Sequence, residues 1–409
     1  MSSEMTDPQT PIDIAAATPD RPKTAVLVNR SSVRLWNLTQ EERLRRILAR
    51  SGIDDVRTEG DQVPAAEHDV VLVRTDFAID DTLIGALVRK PDTMLVAPAD
   101  GDSQVVIAAN ARANQMPHVI ELLRQLQSVP NDVAAAGLAT LNAAQLGSHY
   151  NHALRKRAAP FVMSLIDNRP IVVERRMFRA SYKGVTDFVT KWLWPWPAFW
   201  ATRWCAARGV SPNVVTAASL VLVLLAMWLF ARNYFVFGLV AAWLMTFLDT
   251  VDGKLARVTL TSSKFGNVFD HGIDLVHPPF WYMAWYFGVA SGATEGQALL
   301  LAGAAWTAVI GYVIGRLQEG FFLWRYRMEL HAWRPIDSAF RLFTARRNPN
   351  LAIMTVAVIG GRPDIGLLAV AVWTILSLLF HFLRIGQAIR SERAAGPVQS
   401  WLAEPPTVA

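Results

Sequence analysis

Eight residues of this chain carry the pattern of a chemical site: Asp249, Asp252, Gly253, Ala256, Arg257, Gly266, Asp270 and Asp274, spaced as D-x2-D-G-x2-A-R-x8-G-x3-D-x3-D. The four acids stand in stretches that otherwise read as membrane helix. An uncompensated carboxylate at membrane depth costs roughly 2.5–3.5 kcal/mol on insertion scales, so four of them require cations or water as partners. Asp249 and Asp252 are three residues apart and Asp270 and Asp274 four apart, which puts each pair on one face of its helix. Two facing helices would converge all four. Hard oxygen donors of this kind suit Mg²⁺ or Mn²⁺, and bridging carboxylates suit two ions about 3.5–4 Å apart. Gly253, Ala256 and Gly266 add no bulk, so the helix surface beside the acids can admit a ligand against its backbone. A single acid of the set would read as a helix-end charge at the membrane surface; the full pattern reads as a metal-dependent site.

The elements that must position these residues are membrane helices. The 409-residue chain is 52% hydrophobic, with 15 Trp and a formal net charge of +6. Residues before about 190 have soluble composition, whereas from Pro212 to Ile385 long apolar stretches alternate with short polar ones. Measured against the roughly 20 residues that cross a bilayer, six spans fall near 213–231, 234–252, 266–290, 297–318, 349–362 and 364–386. Gly360-Gly361-Arg362-Pro363 separates the last two as a tight hairpin. Lys254, Arg257, Lys264, Arg325, Arg327, Arg334, Arg341, Arg346, Arg347, Arg384 and Arg390 fall on one side, and Arg232 and Arg362 on the other. By the positive-inside rule this multi-pass integral membrane protein has both termini and the aspartates facing the cytoplasm. Met1 to Arg21 holds no apolar core, so no signal peptide is expected, and Cys205, the single cysteine, excludes an intramolecular disulfide.

The eight-residue pattern resembles, at every motif position, the signature of the CDP-alcohol phosphotransferase (CDP-alcohol phosphatidyltransferase) family of phospholipid biosynthesis. The resemblance implies that Asp249, Asp252 and Asp270 hold two divalent cations, Mg²⁺ or Mn²⁺, which grip the CDP pyrophosphate. It implies that Asp274 lies near the metals and is the general base, with Gly253, Ala256, Arg257 and Gly266 around the bound nucleotide. Ser211-Pro212-Asn213 reads as an N-cap followed by proline in the first helical turn. Pro212, Asn213 and Thr216 also resemble a P-N-x-x-T segment that recurs beside the nucleotide pocket in that family, which makes Asn213 and Thr216 secondary candidates. The implied reaction is attack of an acceptor hydroxyl on the β-phosphoryl group as CMP departs, chemistry that consists mainly of positioning and charge stabilisation. The expected donor is CDP-diacylglycerol or another CDP-linked lipid. The acceptor is a polar alcohol, inositol or inositol phosphate first, with glycerol phosphate, serine and choline-type alcohols open. The expected partners are the lipid bilayer and a second copy in a homodimer, with no nucleic acid. A membrane transporter would use isolated charges near the bilayer midplane and broken helices, and an inactive scaffold would have lost acids; neither fits the pattern.

The remaining stretches frame this site. Tyr182 to Trp200 mixes Phe, Trp and Lys as an amphipathic juxtamembrane segment does. Residues 319–350 are cationic, which suits topology and anionic headgroups; Arg346 or Arg347, in R-R-N-P-N, is also a candidate for a phosphate on the acceptor, because guanidinium binds phosphate bidentately. His271 and His277 flank the acids and read as packing or hydrogen-bonding groups. Residues 22–150 read as a soluble α/β domain: a strand at Thr24–Val28, a helix over Thr39 to Ser51 opened by a Thr39/Glu42 capping box, and a strand at Val70 to Val73, together suggesting a parallel sheet. Asp76 follows a strand and Leu83 to Val88 a helix, a layout that looks like a shortened nucleotidyltransferase domain fused to some inositol-phosphate-transferring members of the family. Where such a domain carries a glycine-rich phosphate loop this chain has Asn29-Arg30-Ser31-Ser32-Val33-Arg34, so a degenerate, non-catalytic or regulatory domain is expected. Residues 151–211 are expected to be linker and juxtamembrane segment, 212–390 the six-helix membrane domain, and 1–21 and 391–409 disordered tails.

Overall fold

The computed structural model describes residues 24–61, 69–99, 103–125, 136–148 and 150–403. It divides into two compact units, Met1–Ala180 and Ser181–Ala409. The expected disordered tail before residue 22 lies outside the described residues.

In the first unit a six-stranded sheet runs, in spatial order, Asp55–Thr58, Thr24–Val28, Asp69–Arg74, Gln104–Arg112, Thr93–Pro98 and Ala139–Leu141. Thr24–Val28 and Asp69–Arg74 are buried along their whole length, as continuous apolar runs in a sheet covered on both faces must be. They pair in parallel, Ala25 opposite Val71, and Asp55–Thr58 joins them in parallel on the outer side. The sheet is nevertheless mixed, which corrects the parallel expectation: Gln104–Arg112 is antiparallel to both of its neighbours. Only residues 99–103 connect it to Thr93–Pro98, and a parallel crossover needs a dozen residues or more.

The capping box opens Gln40–Arg50 as expected: the Glu42 N–H donates to the Thr39 hydroxyl at 3.1 Å and the Thr39 N–H to the Glu42 carboxylate at 2.8 Å. Residues 151–180, expected as a basic linker, belong to this unit instead. Val162–Ser164 pairs with Phe77–Ile79, and helix Pro170–Ala180 buries Val173, Met177 and Phe178 on one stripe. Within that stripe the Glu174 carboxylate accepts the Trp36 N–H at 2.9 Å. Arg175, Arg176 and Arg179 lie on the other face of this helix, outside the buried stripe.

The second unit is helical. Its elements are α1 Pro195–Ala207, α2 Pro212–Ala231, α3 Phe235–Val258, α4 Lys264–Ala290, α5 Glu295–Tyr326, α6 Pro335–Phe340, α7 Arg347–Ile359 and α8 Pro363–Ala395. Before and along α1, the side chains of Trp192, Trp196, Trp200 and Trp204 are exposed at every fourth residue, a pattern suited to the headgroup layer. Among the described residues α2, α3, α5 and α8 are long and apolar enough to cross a membrane. The other two expected spans are different in kind. The first half of α4 carries Lys264, Asp270, His271 and Asp274, and Pro278 and Pro279 follow inside the helix. The 13 residues of α7 reach only about 20 Å, short of the roughly 30 Å hydrocarbon thickness.

Close approach between helices is built from small residues. A Cβ on Gly288 of α4 would lie 2.1 Å from the backbone oxygen of Phe230 in α2, and one on Gly311 of α5 would lie 2.4 Å from Thr374 of α8. With little hydrophobic drive between helices in lipid, such contacts supply the packing. The fully buried Trp285 donates its indole N–H to the Pro363 carbonyl at 2.9 Å, pinning α4 to the α7–α8 turn. Gly361, at φ +70°, makes that turn, as the Gly-Gly-Arg-Pro motif suggests. The C-terminal segment is ordered beyond the expected limit: α8 runs to Ala395, the Ser400 hydroxyl donates to the Ala332 carbonyl, the Trp401 N–H donates to the Trp333 carbonyl at 3.0 Å, and Leu402 is buried.

Candidate active site

Two helices supply the acids. The polar end of α3 carries Asp249, Asp252, Gly253, Ala256 and Arg257, and Leu260, at φ +57°, turns the chain just beyond it. There the Ala256 carbonyl accepts from the Thr261 N–H at 3.0 Å. The start of α4 carries Gly266, Asp270 and Asp274, with Ser263 as N-cap accepting the Gly266 N–H at 3.0 Å. Both helices pack on α2. Their polar ends bring oxygens of Asp249, Asp270 and Asp274 within 4.8 Å of one another.

Asp252 stands beside this trio and is 2% exposed. One of its oxygens accepts the Thr216 hydroxyl at 2.6 Å; the other is buried without a hydrogen-bond partner. Thr216 thereby joins the site from α2. Asn213 reaches it from the same helix: its side-chain oxygen is 2.9 Å from where a Cβ on Gly266 would sit. Beside Gly253 the space is likewise taken, by the Arg257 guanidinium, 3.2 Å from a Cβ there. The clearance that the sequence suggests for a ligand is thus used by the protein's own polar groups. The Arg257 Nε is buried with no partner.

Like charges about 4 Å apart repel by about 4 kcal/mol at an effective dielectric of 20, so this many carboxylates demand a positive partner. The structure supplies one that spacing along the sequence could not show. Arg347, in the first turn of α7, places one guanidinium nitrogen on Asp249 and another on Asp274, beside the Met245 sulfur at 3.8 Å. Arg346 turns the other way, forming a fork with Glu319, which also meets Arg316 at 2.8 Å and His331 at 3.2 Å. The R-R-N-P-N motif was visible in the sequence; its partners, 27 to 98 residues away, were not. His271 and His277 stay outside the cluster, each with Nδ1 against a carbonyl one turn back, Asn267 at 2.9 Å and Ile273 at 2.6 Å.

A second buried acid, Asp187, holds the segment before α1 against α7. Its carboxylate accepts from the Asn348 amide at 3.0 Å, the Thr190 N–H at 3.0 Å and the Thr190 hydroxyl at 2.9 Å. Burial alone would push Asp187 up, but the Arg341 charge and these hydrogen bonds outweigh it and hold the carboxyl below its usual range. Nearby, the Lys254 ammonium lies 3.5 Å over the Tyr182 ring. Nothing in the local sequence around Asp187 signalled this contact.

The donor set fits the divalent cations expected here. It is all carboxylate oxygen, three acids converge, and Asp252 keeps a buried oxygen without a partner. Residues 209–345 match the family model described as CDP-alcohol phosphatidyltransferase, a stretch that holds all eight motif residues with Asn213 and Thr216. Over 184 residues the chain is 28% identical to the archaetidylinositol phosphate synthase of Pyrococcus horikoshii, covering 45% of this chain and 86% of that protein. Over 112 residues it is 32% identical to choline/ethanolaminephosphotransferase 2 of Arabidopsis thaliana, covering 19% of this chain and 28% of that protein.

Proposed function

We propose, on the match of residues 209–345 to the CDP-alcohol phosphatidyltransferase family model, that this chain is a membrane phosphotransferase that transfers a substituted phosphate group from CDP-diacylglycerol to inositol or inositol phosphate, releasing CMP. The observation that carries this reading is the convergence of Asp249, Asp270 and Asp274, with Asp252 beside them, inside the matched segment. The name of the Pyrococcus horikoshii relative supports an inositol-type acceptor. The Arabidopsis thaliana relative favours a choline-type acceptor as the second reading, over a shorter match.

Asp249, Asp252, Asp270 and Asp274 would hold two Mg²⁺ or Mn²⁺ ions, which neutralise the pyrophosphate of the donor. Asp274 has the most open carboxylate of the converging three, its side chain 42% exposed against 31% for Asp270 and 18% for Asp249. It takes the proton from the acceptor hydroxyl, and the oxygen so freed attacks the β-phosphoryl group. Thr216 fixes Asp252 through its hydroxyl, and Asn213 with Arg257 lines the nucleotide side. The Arg346 and Arg347 guanidiniums are the candidates for a phosphate on the acceptor. The site and both termini face the cytoplasm, α4 and α7 complete six membrane passes with the bilayer thinned locally around the short α7, and the protein works as a homodimer.

The unit Met1–Ala180 is on this reading a degenerate nucleotidyltransferase-like domain, non-catalytic or regulatory. The turn after the first strand has Asn29-Arg30-Ser31-Ser32 in place of a glycine-rich loop, its Asn29 N–H donates to the Glu59 carboxylate at 3.4 Å, and Arg74 is paired with Asp76 at 2.7 Å.

The reaction is tested by CMP release from CDP-diacylglycerol with Mg²⁺ or Mn²⁺ across a panel of alcohols, with Asp274→Asn as control. Release that needs metal, one acceptor and Asp274 is expected. Release by Asp274→Asn at the wild-type rate would remove the base from this mechanism, and no release with any acceptor would overturn the donor assignment.

A further inference from the structure

The acids of the site are unequally partnered. Asp249 and Asp274 share the Arg347 guanidinium, a planar, weakly hydrated fork suited to gripping two carboxylates. Asp270 has no closer cation than His271, at 3.9 Å. Asp252 is satisfied on one oxygen only. Half of the cluster is therefore gripped by a guanidinium in direct contact, and half faces the Arg257 charge without an ion-pair contact.

That division bears on how the cluster fills. Four carboxylates against two guanidiniums, Arg347 in contact with Asp249 and Asp274 and Arg257 beside Asp252 and Asp270, leave an excess of negative charge that a first divalent cation offsets without disturbing Arg347. A second divalent cation placed beside a retained guanidinium would make the cluster net positive and would compete with it for the same oxygens of Asp249 and Asp274. We infer that Arg347 is a built-in counter-ion that orders metal loading: the first cation enters against Asp252 and Asp270, and the second, which needs Asp274, binds only as Arg347 withdraws. This rests on the reading above that the acids hold two cations. Arg347 is here a positioning residue that keeps the acids assembled before metal arrives and sets the affinity of the second ion.

The test is a titration of chelator-stripped, full-length protein in detergent with Mn²⁺, following free Mn²⁺ by electron paramagnetic resonance. Wild type is expected to show two classes of site. Arg347→Gln is expected to tighten the weaker class by about tenfold or more, the worth of one to two charge-assisted hydrogen bonds, and to leave the tighter class unchanged. The variant should also melt at lower temperature than wild type in chelator and recover more on adding Mn²⁺. A weaker class that is unchanged or further weakened in Arg347→Gln overturns the proposal while leaving the metal site standing. No Mn²⁺ binding by wild type overturns the metal reading and the proposal together. If Arg347→Gln does not fold, Arg347→Lys, which keeps the charge and loses the fork, should narrow the gap between the classes; an unchanged gap overturns the proposal.

Discussion

Asp187 illustrates how much of this protein depends on single buried charges. Its folded pKa lies below the ordinary 3.8 of an aspartate because Arg341 and the Asn348 and Thr190 hydrogen bonds outweigh the cost of burial. A carboxyl depressed in this way contributes stability that is present above the unfolded value and is lost as pH falls through the folded one. Asp187→Ala should cost roughly 2–4 kcal/mol at neutral pH by removing charge-assisted bonds from a buried site. Thermal unfolding of both proteins in detergent, from neutral pH down through the carboxylate range, should show the wild-type advantage shrinking as Asp187 protonates. A constant difference across that range would mean the charge contributes nothing. At this scale the sequence was informative where partners are near in the chain. Asp249 to Asp274 read as one site because their spacing follows helical turns, whereas Asp187 and Asn348 are 161 residues apart and only packing joins them.

Among the elements, the helices were legible because apolar length and punctuation are local properties. The Ser211 cap lies where α2 begins, and the Gly360-Gly361-Arg362-Pro363 turn lies where α7 gives way to α8. Contacts between elements were not legible. The crossing of α2 and α4 needs the missing side chain of Gly288, since a Cβ there would meet backbone rather than a movable group. Gly288→Ala should therefore lower the melting temperature, with a cost at or above the roughly 1–3 kcal/mol of ordinary overpacking. Gly303→Ala in α5 meets nothing within 4 Å and should be neutral or slightly stabilising, as alanine is the better helix former. Equal losses from the two substitutions would sink the close-approach argument. The sheet of the first unit shows the same limit: strands were recognisable by their apolar runs, but the antiparallel place of Gln104–Arg112 followed from a short connection.

For the molecule as a whole, the acidic cluster lies in the unit Ser181–Ala409, and in the unit Met1–Ala180 the Asn29 N–H after the first strand donates to the Glu59 carboxylate at 3.4 Å. Full-length protein given CTP and an alcohol phosphate is accordingly expected to form no CDP-alcohol, measured by chromatography of labelled nucleotide. Accumulation of CDP-alcohol would overturn the proposed degenerate role of the soluble unit. The sequence by itself determined the family resemblance, the membrane character and the candidate acids, because each is written in residues within a turn or two of one another or in the apolar length of one helix. The tertiary structure decided that Arg347 stands between Asp249 and Asp274, that Thr216 holds Asp252, and that residues 151–180 belong to the unit Met1–Ala180. Those outcomes depend on which distant side chains packing brings within hydrogen-bond reach, and a short-range pattern carries no record of that distance.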